Sequence, residues 1–252
     1  MEDVIIIGAG EVGQAIIGLE ENAEHQIWVL DKKYDKVPDK GRYRVMHVCI
    51  PYSKAFVDDV NRYMQDYPSD LVIVHSTLPV GTMDKLEPRG IMVHSPVRGK
   101  HPNLLDGLYT FVKYVGGPVD YCSQALAYFD VLDVKARRIG DYRASELFKL
   151  LDTSYYGWCI AFADRAKKLC DKYGANYDLV YKDGNQTYNE GYTRLGMPNV
   201  VRAVLTPPQG GVGGHCVTNN AILLDDKVIT PVITALGTPQ EKDTKKKDDK
   251  KD

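Results

Sequence analysis

Short apolar runs alternate with amphipathic stretches through the first 140 positions, the pattern of repeated strand and helix units. The runs predict strands at Val4–Ile7, Ile27–Leu30, Val45–Ile50, Leu71–His75, Ile91–His94 and Phe111–Val115. Their near-continuous Val and Ile imply burial on both faces, as helix-flanked parallel sheets require. The expected fold class is therefore α/β, a doubly wound parallel sheet of Rossmann type followed by a helical domain. From Tyr142 the period changes. Leu147, Leu151, Tyr155, Trp158, Phe162, Ala166 and Leu169 recur every three or four positions until Gly174, which predicts one long central helix. A helix of that length packs between domains or across a dimer interface more readily than it stands alone. Less regular helical structure is expected from Ala175 to Leu205, then a Pro/Gly-rich loop from Thr206 to Gly214. The stretch from Thr238 to Asp252 carries no aliphatic residue and predicts disorder. The domain reading is 1–140 for a nucleotide-binding unit, 141–237 for a helical dimerisation and substrate unit, and 238–252 for a charged tail.

Composition narrows the chemistry. The 252 residues are 44% hydrophobic and 26% charged, which is globular, and a formal net charge of −2 gives no broad basic field for nucleic acid or anionic lipid. Neither nucleic-acid nor membrane partners are expected, and a small-molecule substrate is. No apolar run approaches the roughly 20 residues that span a bilayer, and no basic leader precedes the first strand, so the expected location is cytoplasmic. Five cysteines, Cys49, Cys122, Cys159, Cys170 and Cys216, show no CxxC pairing and fit reduced thiols; no metal site is expected.

Two places carry candidate chemistry. Gly8, Gly10 and Gly13 are spaced as GxGxxG between a strand and a helix, and Asp31 lies 18 positions beyond Gly13 at the end of the second strand. Glycines there allow a tight turn, close approach to a pyrophosphate and helix-on-strand packing. The acidic residue would accept from the adenosine ribose hydroxyls and repel a 2′-phosphate, so the cofactor expected is NAD rather than NADP. Lys32, Lys33 and Lys36 crowd the same loop and weaken that preference. The second place is Gly210-Gly211-Val212-Gly213-Gly214-His215-Cys216, a thiol after a pliable backbone segment. On the long helix, Lys149 and Thr153 share a face, with Glu146 beside them. By residue type alone, Cys216 also fits a structural cysteine in a glycine turn, and the Lys149 face fits a solvated helix surface.

Taken together, the chain resembles the UDP-glucose and GDP-mannose 6-dehydrogenases, the NAD-dependent nucleotide-sugar dehydrogenases, over roughly residues 1 to 225. Besides the glycines and Asp31, the resemblance rests on His75-Ser76-Thr77-Leu78-Pro79-Val80-Gly81-Thr82, on Ser145-Glu146-Leu147-Phe148-Lys149, and on the Gly-Gly-His-Cys that ends at Cys216. It implies oxidation of a primary alcohol of a sugar nucleotide through a thiohemiacetal and a thioester on Cys216, with Lys149 stabilising the oxyanion. It implies cofactor contacts from Glu11, Val12, Lys36, Pro51, Ser76 and Thr77 in addition to the glycines and Asp31, and a homodimer through the long helix with Tyr155, Tyr156 and Trp158. Three polar positions depart from the family. Its Pro-Glu is here Pro96-Val97, its asparagine four residues after the lysine is Thr153, and its Lys-Asp pair after the cysteine is Asn219-Asn220. Thr153 and Asn220 thus stand at catalytic positions with altered chemistry, and water activation falls to no obvious residue, Asp225 or Asp226 being substitutes. Relative to the family the chain reads as truncated before the second α/β domain. Two other readings stay open: a β-hydroxyacid dehydrogenase that uses Lys149, and a catalytically degenerate NAD-binding protein.

Overall fold

The computed structural model describes residues 2–32, 41–87, 89–99, 102–207 and 215–235, the side chains of His215 and Cys216 excepted. Lys33, Lys36, the Gly210 to Gly214 loop and the charged tail lie outside these residues. The chain divides into two compact units, Met1–Leu150 and Leu151–Asp252.

The first unit is built on a seven-stranded sheet: β1 (Asp3–Ile7), β2 (Gln26–Leu30), β3 (Tyr43–Val48), β4 (Ser69–Val74), β5 (Ile91–His94), β6 (Lys113–Gly116) and β7 (Ala136–Gly140). Their spatial order is β2-β1-β3-β4-β5-β6-β7. Strand polarity along β1 sorts its side chains in alternation. Val4 and Ile6 face a core with Ile16, Leu19, Val93 and Phe129, while Ile5 and Ile7 face another with Met46, Phe56, Val60 and Met64. Helices α1 (Glu11–Asn22), α3 (Leu104–Thr110) and α4 (Val119–Val131) supply the first core, and α2 (Phe56–Asp66) the second.

Two features differ from the sequence reading. β7 is an added edge strand, Ala-Arg-Arg-Ile-Gly, whose two arginines hide its period. β6 pairs antiparallel with β5 through His94 and Gly116, so the sheet is mostly rather than wholly parallel. That register sets the ends of β5 and β6 side by side, and the start of β6 runs past β5 along the segment of Ser95, whose Oγ donates to Tyr114 O at 2.9 Å.

Helix α5 (Tyr142–Tyr173) runs 32 residues, as the apolar spacing predicts. In the second unit follow a π-helical turn at Asp178–Asp183, α6 (Gly184–Arg194), α7 (His215–Leu224) and α8 (Ile229–Thr234). Gly157 of α5 lets α7 and α8 lie close: a Cβ there would stand 2.6 Å from Val217 and 3.1 Å from Ile233. Among the described residues, no helix is long and apolar enough to cross a membrane.

Candidate active site

The glycine loop follows β1 at the point where the strand order reverses, with β2 on one side of β1 and β3 on the other. Gly8 turns at φ +97, which a side chain rarely adopts, and its N–H donates to Leu30 O at 2.8 Å. At Gly13 a Cβ would come within 2.0 Å of Gly8 O, so the helix can only seat on the turn if no side chain is there. Gly10 differs: a Cβ at that position would meet nothing within 4 Å among the described residues. The fold does not need glycine at position 10, whereas a pyrophosphate lying against the N-terminus of α1 would. That N-terminus has no side-chain cap. Asp31 Oδ2 accepts from Ala9 N at 2.9 Å, which fixes the carboxylate against the loop. Glu11 opens α1 and is exposed, and Val12 is half-buried. These residues fit a dinucleotide.

The Ser76-Thr77 segment leaves the carboxyl end of β4. Ser76 Oγ donates to Ile50 O at 2.6 Å and so pins the stretch that enters exposed Pro51. Thr77 is half-buried. Further along the same loop, the carboxylate of Glu146 accepts from Gly81 N at 2.6 Å and from Met83 N at 2.8 Å. Burial pushes the Glu146 carboxyl up, and those two N–H groups pull it back. Glu146 is fully buried, which removes the solvated-surface reading for this part of α5. One turn later, Lys149 Nζ donates to Val97 O at 2.8 Å. Val97 itself is a core residue packed among the apolar side chains of the first unit. Where the resemblance implies a glutamate, the structure has a hydrophobic anchor, and the carbonyl of that residue holds the lysine.

In the second unit, Asn220 Nδ2 donates to Thr153 Oγ1 at 3.0 Å. The two departures from the family pattern are therefore partners. Cys216 occupies the second position of α7. Asp226, a candidate substitute base, is committed elsewhere: its Oδ1 accepts from Val228 N and Ile229 N at 2.9 and 2.7 Å, capping α8, and these bonds lower its carboxyl. Asp225 is exposed at φ +51. Of the other cysteines, Cys49 is buried with its thiol pushed up to about 12, and is inert as a nucleophile.

A polar cluster within the first unit was invisible as such in the sequence. Glu20, His47, His75, His94 and Lys113 are all buried. His94 Nε2 lies 2.9 Å from Ser76 O and its Nδ1 2.8 Å from Ser145 Oγ, so it braces the loop before Thr77 against α5. Lys113 Nζ donates to Ser95 O at 2.8 Å. The only signal was one ionisable residue breaking each of several apolar runs, as in Val45-Met46-His47-Val48.

No protein-family model matches the chain. It is 29% identical over 168 residues to an NDP-N-acetyl-D-galactosaminuronic acid dehydrogenase of Ralstonia solanacearum, covering 59% of this chain and 37% of that one. It is 24% identical over 177 residues to a UDP-N-acetyl-D-mannosamine dehydrogenase of Methanocaldococcus jannaschii, covering 67% and 38%. The chain thus spans well under half the length of these curated relatives. Among solved structures, a UDP-D-ManNAc dehydrogenase from Pyrococcus horikoshii superposes with a TM-score of 0.74 at 19% identity, over 93% of this chain and 67% of the other. A Mycobacterium tuberculosis 3-hydroxyisobutyrate dehydrogenase shares the fold at a TM-score of 0.62 and 15% identity, over 94% and 88%. The sequence relatives of this chain are NDP-sugar dehydrogenases, the group that its glycine loop, its Ser-Thr-Leu-Pro-Val-Gly-Thr segment and its Glu146-to-Lys149 turn resemble.

Proposed function

We propose that the chain is an NAD-dependent oxidoreductase that acts on the primary alcohol of a sugar nucleotide. The observation that carries this reading is the cradle at the end of β1. Gly10 is open where the fold needs no glycine, Gly13 is closed against Gly8, and Asp31 is clasped to the loop. Bound NAD would supply the hydride acceptor. The chain's own residues do the remainder. Gly8, Gly10 and Gly13, with the backbone at Glu11 and Val12, seat the pyrophosphate. Asp31, aided by Lys36, takes the ribose, and Pro51, Ser76 and Thr77 border the nicotinamide. Lys149 stabilises an oxyanion. Cys216 attacks the aldehyde from the first oxidation, and a second hydride loss leaves a thioester for water to cleave. Thr153 and Asn220 hold each other and orient water or a hydroxyl. We further propose that the functional units are residues 1–140 and 141–237, that the protein works in the cytoplasm, and that two copies pair through α5.

The test is NADH formation on UDP-linked N-acetylhexosamines, with NAD affinity by calorimetry. The wild type should form two NADH per sugar nucleotide. Cys216→Ala should form at most one and bind NAD as tightly as before. A wild type that neither binds NAD nor forms NADH overturns the reading.

A further inference from the structure

A file of polar contacts runs through the core of the first unit, hydrogen-bonded at every step but its last. Lys113 Nζ lies 2.8 Å from Ser95 O and 3.2 Å from His75 Nδ1. His75 Nε2 lies 2.8 Å from His47 Nδ1, and the two rings stack with centroids 5.1 Å apart. His47 Nε2 lies 3.0 Å from Glu20 Oε1, off the line of a good hydrogen bond, the one contact that must tighten for a proton to cross. Glu20 is also held by His25 Nδ1 at 2.7 Å and by Tyr128 OH at 2.8 Å. Donor and acceptor accounting from the Glu20 end gives one set of tautomers. An ionised Glu20 demands a proton on His47 Nε2. That makes His47 Nδ1 an acceptor, so His75 must carry its proton on Nε2, and His75 Nδ1 must accept. Ser95 O accepts as well. Lys113 is the donor that serves both.

We propose that Lys113, His75, His47 and Glu20 form a buried proton relay, and that its Lys113 end is a positioning device for Lys149. The relay has a second arrangement with the same protons. Lys113 Nζ gives a proton to His75 Nδ1, His75 Nε2 gives one to His47 Nδ1, and His47 Nε2 gives one to Glu20. No proton enters or leaves. An ammonium and a carboxylate become an amine and a carboxylic acid, and His75 Nδ1–H, 2.9 Å from Ser95 O, takes over as donor to that carbonyl. The first arrangement keeps a buried ammonium on two neutral acceptors, Ser95 O and His75 Nδ1, and the second removes both buried charges. Lys113 faces Cys49, His94 and the like charge of Lys149, and it lies 5.4 Å from the Phe129 ring centroid. Tyr128, at the far end, also feels Glu2 and Arg44. Burial first, and then the charge on Lys149, drop the Lys113 amine to about 7, while the Cys49 thiolate would raise it; burial, with Lys113 next, holds His75 neutral.

The functional end is the Ser95-Pro96-Val97 segment. Lys113 holds its first carbonyl and Lys149 its third. Moving the charge off Lys113 changes the field at Lys149 and the grip on the segment that anchors it. This last step rests on the reading of the chain as a dehydrogenase, whereas the relay itself does not.

The test uses the full chain labelled with nitrogen-15 and carbon-13. Two-bond proton–nitrogen spectra report the histidine tautomers, and the carboxyl carbon reports Glu20. In the wild type, His47 and His75 should both carry a proton on Nε2, and Glu20 should be ionised. An imidazolium, or a proton on Nδ1 beside an ionised Glu20, overturns the relay, and this measurement needs no variant. In Lys113→Met both histidines should switch to Nδ1–H and Glu20 should become protonated, while Lys113→Arg should keep the wild-type tautomers. Unchanged tautomers in Lys113→Met also overturn it. In turnover, Lys113→Met should lower kcat by about 10²-fold, the scale of a roughly 1 Å misplacement, without changing NAD affinity. A normal kcat removes the link to Lys149. A wild type that forms no NADH removes the dehydrogenase reading and leaves the spectra to decide the relay.

Discussion

At Glu146 one carboxylate does what the sequence alone could not assign. Its two oxygens take the N–H groups of Gly81 and Met83, so the residue three before Lys149 ties down the loop that carries Thr77. Glu146→Gln should break this symmetry, because an amide presents one acceptor and one donor to two donors. The expected cost is about 1–3 kcal/mol of stability, the desolvation of one unpaired buried group, together with weaker NAD binding. Denaturant unfolding and calorimetry check both, and unchanged values would show that the loop is held by other contacts. His94 sets a second expectation at this scale. Burial depresses its imidazole to about 4, against the opposing pull of Ser76 O, and His75 is depressed too. A base whose folded value is depressed binds its proton less well in the native state. Its contribution is therefore present above the ordinary histidine value of 6.5 and lost as pH falls from there toward 4. Chemical denaturation midpoints should drop across that window, and His94→Asn should flatten the drop. The motif glycines and Asp31 stand out in the sequence by their spacing, and Lys149 only through the resemblance. Glu20, His47, His75 and Lys113 do not stand out, because their partners come from α1, β3, the end of β4 and the start of β6, and no local pattern records which strand lies beside which.

Among the elements, α5 was read correctly as a helix and only partly as a surface. Its large apolar positions, Leu147, Leu151, Tyr155, Trp158, Phe162 and Leu169, are exposed in the single chain, Tyr155 by 70% and Phe162 by 63%. The face it buries holds Leu150 but is otherwise mostly small or polar, with Glu146, Ser154, Gly157, Ala161 and Ala163. Hydropathy periodicity locates an apolar stripe but does not say whether the same chain or another copy covers it. A second copy is the occupant proposed here. Phe162→Glu would place a charge in that stripe and should convert a dimer to a monomer in sedimentation equilibrium at unchanged helix content. A wild type that is already monomeric would refute the pairing. The β6 reversal teaches a related lesson, since a run of apolar residues has no direction. Only the register His94 to Gly116 reveals that Lys113 enters from the opposite side.

Across the whole molecule, a sheet buried on both faces was foreseeable from its near-continuous apolar strands, whereas its strand order was not, and the edge strand β7 was concealed by Arg137 and Arg138. The two glycines of the nucleotide loop make the division between folding and binding measurable. Gly13→Ala would drive a methyl group into Gly8 O, so it should unsettle the first unit itself. Gly10→Ala puts the same methyl where nothing among the described residues would meet it within 4 Å, and it should melt like the wild type yet lose NAD. Equal binding by Gly10→Ala would mean that the pyrophosphate does not pass there. One position thus reports on architecture and the other on cargo, so a chain that has given up its ligand could accumulate side chains at residue 10 long before any appeared at residue 13.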